Sequence, residues 1–175
     1  MPGFGPSLYA SFVVVPQSGS EGLLLEVVFV AEPVAPPAWH ADRFFPPTPL
    51  RIVVDHHRQN RTEEVPREAL ANAKPGPAQW LREKADPLRD LVPKLLGAAR
   101  FAADKQAEWM RTRGMNSMRD TLDAEINRLQ QLRDLGHPVP ESEIADAKQQ
   151  RSDLADAIRN AQIRVDSVRL ILCGK

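Results

Sequence analysis

Short apolar runs fill the first half of this chain, and long stripes stepping by three and four fill the second. Ser7 to Val15 (S-L-Y-A-S-F-V-V-V) is rich in strand formers and stops at Pro16. Leu23 to Ala31 is a second apolar run and Leu50 to Asp55 a third. Branched and aromatic side chains favour extended backbone because they pack well on a pleated surface. The first two runs flank the turn-like Gln17 to Gly22 and predict a hairpin. Both are nearly continuous rather than alternating, which predicts a central place in a sheet or burial on both faces. His56 to Asn60 predicts a polar turn, Arg61 to Val65 an edge strand returning from it, and Ala73 to Pro77 a loop.

Beyond this point the rhythm changes. Asp86-Pro87 is a good helix start, because Asp caps and Pro is tolerated at the first helical position. Pro93 then predicts either a kink or the start of the durable helix. From Lys94 to Leu135 the pattern is helical, and Met115, Met118, Leu122, Ile126, Leu129 and Leu132 form one stripe. Gly136-His137-Pro138 ends it. Glu141 and Glu143 suit the positive end of a second helix, in which Ile144, Ala147, Leu154, Ile158, Ala161 and Val165 step likewise. Two such helices joined by a few residues pack antiparallel, with Leu122 and Leu154 in the seam. Val168 to Cys173 predicts a final strand that returns to the sheet.

Proline supports this division. Fourteen of the sixteen prolines lie at or before Pro93, and proline breaks helices and central strands. The expectation is one α+β domain over residues 1–175. A mainly antiparallel sheet forms from 7–65, a long antiparallel helical hairpin spans 86–163, and a returning strand covers 165–173.

Charge narrows the function classes. Lys plus Arg and Asp plus Glu are both 23, so the formal net charge is zero. Duplex-binding modules are usually basic, because phosphate contacts need Lys and Arg. The balance argues against autonomous nucleic-acid binding. One cysteine, Cys173, excludes an internal disulfide and reads as a small apolar residue in a strand. With no signal peptide and no membrane-length apolar run, the expected compartment is the cytoplasm.

The sharpest catalytic temptation is Asp55-His56-His57. A strand ending in D-H-H is similar to the signature of the DHH phosphoesterases, where such side chains hold divalent metal. A two-metal site needs further carboxylates at neighbouring strand ends, and the chain offers no D-x-D and no Gly cluster. No Walker-type loop, G-x-S-x-G or H-E-x-x-H is present. Arg111, Arg113 and Arg119, with Lys148, Arg151 and Arg159, are interspersed with acids and read as mixed solvated helix faces. Trp39, Phe44 and Phe45 either plug the open face of the sheet or form a partner hot spot.

Arg43 to Asp55 reads R-F-F-P-P-T-P-L-R-I-V-V-D, a string few unrelated proteins would share. Leu23 to Glu32 (L-L-L-E-V-V-F-V-A-E), Leu122 to Arg133 and Arg164 to Leu172 (R-V-D-S-V-R-L-I-L) follow the same template in order. Over roughly residues 20–173 the chain resembles the C-terminal domain of the RapA family, bacterial RNA-polymerase-associated ATPases of the Swi/Snf translocase type. The resemblance implies a non-catalytic domain for docking, scaffolding or regulation. Its partners would be RNA polymerase, through the parent, and the parent's other domains. ATP and magnesium belong to the parent motor, so no cofactor, metal or catalytic residue is expected here. In that template Asp55-His56-His57 is a polar hairpin turn. A free-standing helical-hairpin interaction module is the alternative reading.

Overall fold

A computed structural model of the chain describes residues 9–16 and 22–174. Among the described residues five strands form one sheet: β1 (Tyr9–Pro16), β2 (Gly22–Glu32), β3 (Thr48–Asp55), β4 (Lys74–Pro75) and β5 (Gln162–Gly174). Among the described residues three α-helices accompany them: α1 (Ala78–Glu83), α2 (Ala85–Asp134) and α3 (Glu141–Arg159). The fold is α+β, and the sheet is mixed but mostly antiparallel.

Strand order is β3-β2-β5-β1-β4. The predicted hairpin of the first two runs is therefore corrected, because β5 lies between β1 and β2. The turn that was to join them, 17–21, lies outside the described residues, as do Ser7 and Leu8. β5 runs parallel to β1, with Ser11 opposite Arg169, Val13 opposite Ile171 and Val15 opposite Cys173. The central position expected for the first two runs holds, since both have neighbours on each side.

The expected edge strand at Arg61 to Val65 does not form. Asn60 makes a single bridge to Val54. The Thr62 hydroxyl, rather than a backbone carbonyl, then accepts the Val53 N–H. With that ladder position filled by a side chain, the backbone turns away, and Val65 N donates to Arg61 O. The other edge comes instead from Lys74–Pro75, in the predicted loop, paired antiparallel with β1. Proline fits there because an edge strand need not donate outward.

The chain forms two compact units: Met1–Val30, Pro49–Gln106 and Ile163–Lys175, and Ala31–Thr48 with Ala107–Gln162. In the first, Leu25, Val27 and Phe29 of β2 and Ile52 and Val54 of β3 are buried. Leu95, Ala99 and Ala103 of α2 have no exposed surface at all. Their spacing of four covers one helix stripe completely. On the sheet, Val15, Ile171 and Cys173 pack with Leu70, so the cysteine serves as the apolar residue its context suggested.

The second unit contains the far part of α2 and all of α3. Asp123 pairs with Arg151, and Arg111 donates to the Ala161 carbonyl. As one number rises the other falls, so the two helices are antiparallel. The stripe is buried in part: Met118, Ile126 and Leu129 are buried, whereas Met115, Leu122 and Leu132 are half-buried. Gly136, at φ +85°, ends α2. Its N–H donates to Arg133 O and that of His137 to Leu132 O, the paired bonds of a glycine-terminated helix. α3 ends at Arg159, so Val165 belongs to β5 rather than to the helix stripe. α2 begins at Ala85 and continues through Pro93.

Candidate functional site

Three places gather chemistry-bearing side chains. The first is the turn after β3. Asp55 is buried, and its Oδ1 accepts the N–H groups of His57 and Gln59, both at 2.9 Å. Its Oδ2 accepts Arg61 Nε at 2.9 Å. Both carboxylate oxygens are thus committed to the turn, which also carries Arg58 at φ +67°. Among the described residues no group of three or more His, Cys, Asp and Glu is placed to hold a metal ion. His56 and His57 are exposed, with ring centroids 3.9 Å apart.

Burial alone would raise the Asp55 pKa, but the bonds from Gln59, Arg61 and His57 outweigh it and hold it below the ordinary value. Its contribution to stability is complete above the unfolded carboxyl value of about 3.9. It is lost as pH falls through the lower folded value. Asp55→Asn should cost about 1–3 kcal/mol at neutral pH. The deficit should shrink on acidification, as the wild-type carboxylate protonates. Urea unfolding at neutral and acid pH checks this, and a gap that stays constant would contradict it.

The second place lies on the sheet. Glu26 of β2 sits in the middle of an apolar run and is 7% exposed. Its Oε1 meets Arg51 Nε of β3 at 2.5 Å, and its Oε2 meets Arg169 Nη1 of β5 at 3.2 Å. Arg51 Nη1 also donates to the Val65 carbonyl at 2.7 Å. A buried carboxylate requires such partners, because an unpaired charge in the interior is costly. Period-two alternation puts Glu26 on the opposite face of β2 from Leu25, Val27 and Phe29. With Arg67, Ser11 and Ser167 this network lines a cleft of about 340 Å³. Sequence reasoning passed over it, although a lone Glu in L-L-L-E-V-V-F was the available signal.

The third place lies within the helical unit. Phe44 and Phe45 approach α2 at Gly114, where an added Cβ would come within 2.8 Å of the Phe44 carbonyl oxygen. Only glycine permits that contact without displacement. Phe45 is buried, and its ring lies against α2 at Gly114. Phe44, Phe45, Pro46, Trp109, Met110 and Arg113 line a groove of about 260 Å³. Trp109 is 63% exposed. The Arg113 guanidinium stands over its ring at 5.5 Å, and that of Arg43 over Phe44 at 5.3 Å. Trp39, the third aromatic of the predicted group, is half-buried in the proline-rich segment.

The remaining basic residues of the helices mostly form the expected mixed faces. Arg111 pairs with Glu108, Arg151 with Asp123 and Arg159 with Asp156. No helix among the described residues is long and apolar enough to cross a membrane.

Residues 9–173 match the sequence model of the RNA polymerase recycling family, C-terminal region. The chain is also similar to proteins called RNA polymerase-associated protein RapA. One from Haemophilus influenzae is 32% identical over 154 residues, covering 87% of this chain and 17% of that protein. One from Photobacterium profundum is 33% identical over 154 residues, covering 86% and 16%. The chain thus spans about a sixth of the length of the curated relatives it matches.

Proposed function

The chain belongs to the RNA polymerase recycling family, as its C-terminal domain, and we propose that it acts there through surfaces rather than through chemistry of its own. In this reading the intact protein is an ATP-dependent translocase that helps to recycle RNA polymerase during transcription. The motor, with its ATP and magnesium, lies elsewhere in that protein. The present domain docks, scaffolds or regulates, and takes neither metal nor nucleotide. The observation that carries the reading is the collinear family match over residues 9–173. The commitment of both Asp55 oxygens to a turn supports it, because the one motif with a catalytic look has a structural task.

Removal of residues 9–173 from the intact protein is the experiment. A docking role appears as weaker retention of RNA polymerase with basal ATP hydrolysis preserved. A regulatory role appears as altered ATP hydrolysis with retention preserved.

A further inference from the structure

The groove beside Trp109 is built in a way that the packing of the helices does not require. The buried positions of α2 in this unit include Ala107, Gly114 and Met118. Trp109 lies two residues past Ala107, about 200° around the helix, and so points away from that stripe. Solvent-facing positions nearby carry Glu108, Thr112 and Asn116; a tryptophan among them leaves a large apolar surface exposed to water. Beside it, Gly114 allows the Phe44-Phe45-Pro46 segment to close down on the helix and form the opposite wall.

Arg113 lines the groove with its guanidinium over Trp109, Arg43 stacks on the wall residue Phe44 from outside the lining, and among the described residues neither is ion-paired. An exposed Trp109 and Arg113 beside the half-buried Phe44 and Met110 around one concavity give the composition of energetic anchors in protein interfaces. Stacked arginine keeps its N–H edge free to meet a carboxylate.

We propose that this groove docks an acidic protein segment, seating one of its apolar side chains against Trp109, Met110 and Phe44 while its carboxylates meet Arg113 and Arg43. A volume of about 260 Å³ accommodates one or two side chains rather than a run of bases. A nucleic-acid strand would need a basic track along its phosphates, whereas Arg113 is the single basic residue among those that line the groove. The chemistry of the occupant follows from the groove alone. Its identification with a segment of RNA polymerase rests on the function proposed above.

The test uses the intact protein and three probes: a synthetic acidic peptide carrying Leu and Phe, the same peptide with those residues replaced by Ser, and an oligothymidylate. Calorimetric titration should show saturable binding of the first peptide and none of the second. Trp109→Ala should weaken binding about thirtyfold. Arg113→Glu should weaken it and flatten its dependence on salt, with the melting temperature of both variants unchanged. Failure of the first peptide to bind, equal binding by Trp109→Ala, or tighter binding of the oligothymidylate would overturn the proposal. If removing the whole domain releases RNA polymerase but Trp109→Ala does not, the groove is refuted as the docking face and the family reading stands.

Discussion

Glu26→Ala should destabilise the sheet unit by about 3–5 kcal/mol, the range expected when one partner of a buried charge pair is removed. The reason lies in what is left behind. Glu26 is 7% exposed and joins Arg51 and Arg169 from the two flanking strands. Truncation strands the Arg51 guanidinium, whose side chain is only 11% exposed and whose remaining bond is to the Val65 carbonyl. Arg169 is 42% exposed and recovers solvation, so most of the loss belongs to Arg51. Arg169→Ala should therefore cost well under half as much as Glu26→Ala. The double variant Glu26→Leu with Arg51→Met should recover much of the loss, since apolar pairs of similar volume often replace buried ion pairs. Chemical denaturation of the three variants measures this, and equal losses for Glu26→Ala and Arg169→Ala would place the network at the surface instead.

Leu154→Ala should cost about 2–5 kcal/mol. Leu154 is 1% exposed on α3. The Arg151–Asp123 pair and the bond from Arg111 to Ala161 fix the helix register. Carried along it, Leu154 falls opposite the turn between Met118 and Leu122. Met118 has no exposed surface, so the site has little freedom to collapse around a lost side chain. Leu122 was expected to be buried equally and is only half-buried. Leu122→Ala should accordingly cost less than Leu154→Ala. Thermal unfolding decides the order, and a silent Leu154→Ala would mean that the seam runs elsewhere.

What could be read from the chain follows the range of the interactions. The helices were legible because their stripes and stops are local. Met115 to Leu132 steps by three and four, and Gly136 supplies the backbone that closes α2. β2 and β3 were legible from branched residues in short runs. The pairing of the strands was not. Nothing near Val15 or Leu23 announces that Arg164 to Cys173 will enter between them, parallel to β1. The lost edge strand at Arg61 to Val65 turned on one hydroxyl, that of Thr62, bonding where a carbonyl was expected.

The candidate sites divide the same way. Asp55 as a turn residue was legible, since an Asp followed by polar residues after a strand readily accepts backbone N–H groups. Glu26 inside an apolar run was a visible signal of a buried charge, but its partners lie 25 residues away on β3 and on the last strand. Trp109 was also within reach of the pattern, because it falls off the buried stripe of α2. The groove it lines was not, since Phe44 and Phe45 reach the helix through tertiary packing against Gly114.

The claim that this domain works through its surfaces is tested most directly by co-elution. The intact protein and a version lacking residues 9–173 are each mixed with RNA polymerase at moderate salt and separated by size. The account predicts that the shortened protein elutes apart from the polymerase, or loses polymerase-dependent stimulation of ATP hydrolysis, while its basal hydrolysis persists. Unchanged co-elution together with unchanged stimulation would contradict it, and would leave the domain as a structural terminus of the protein.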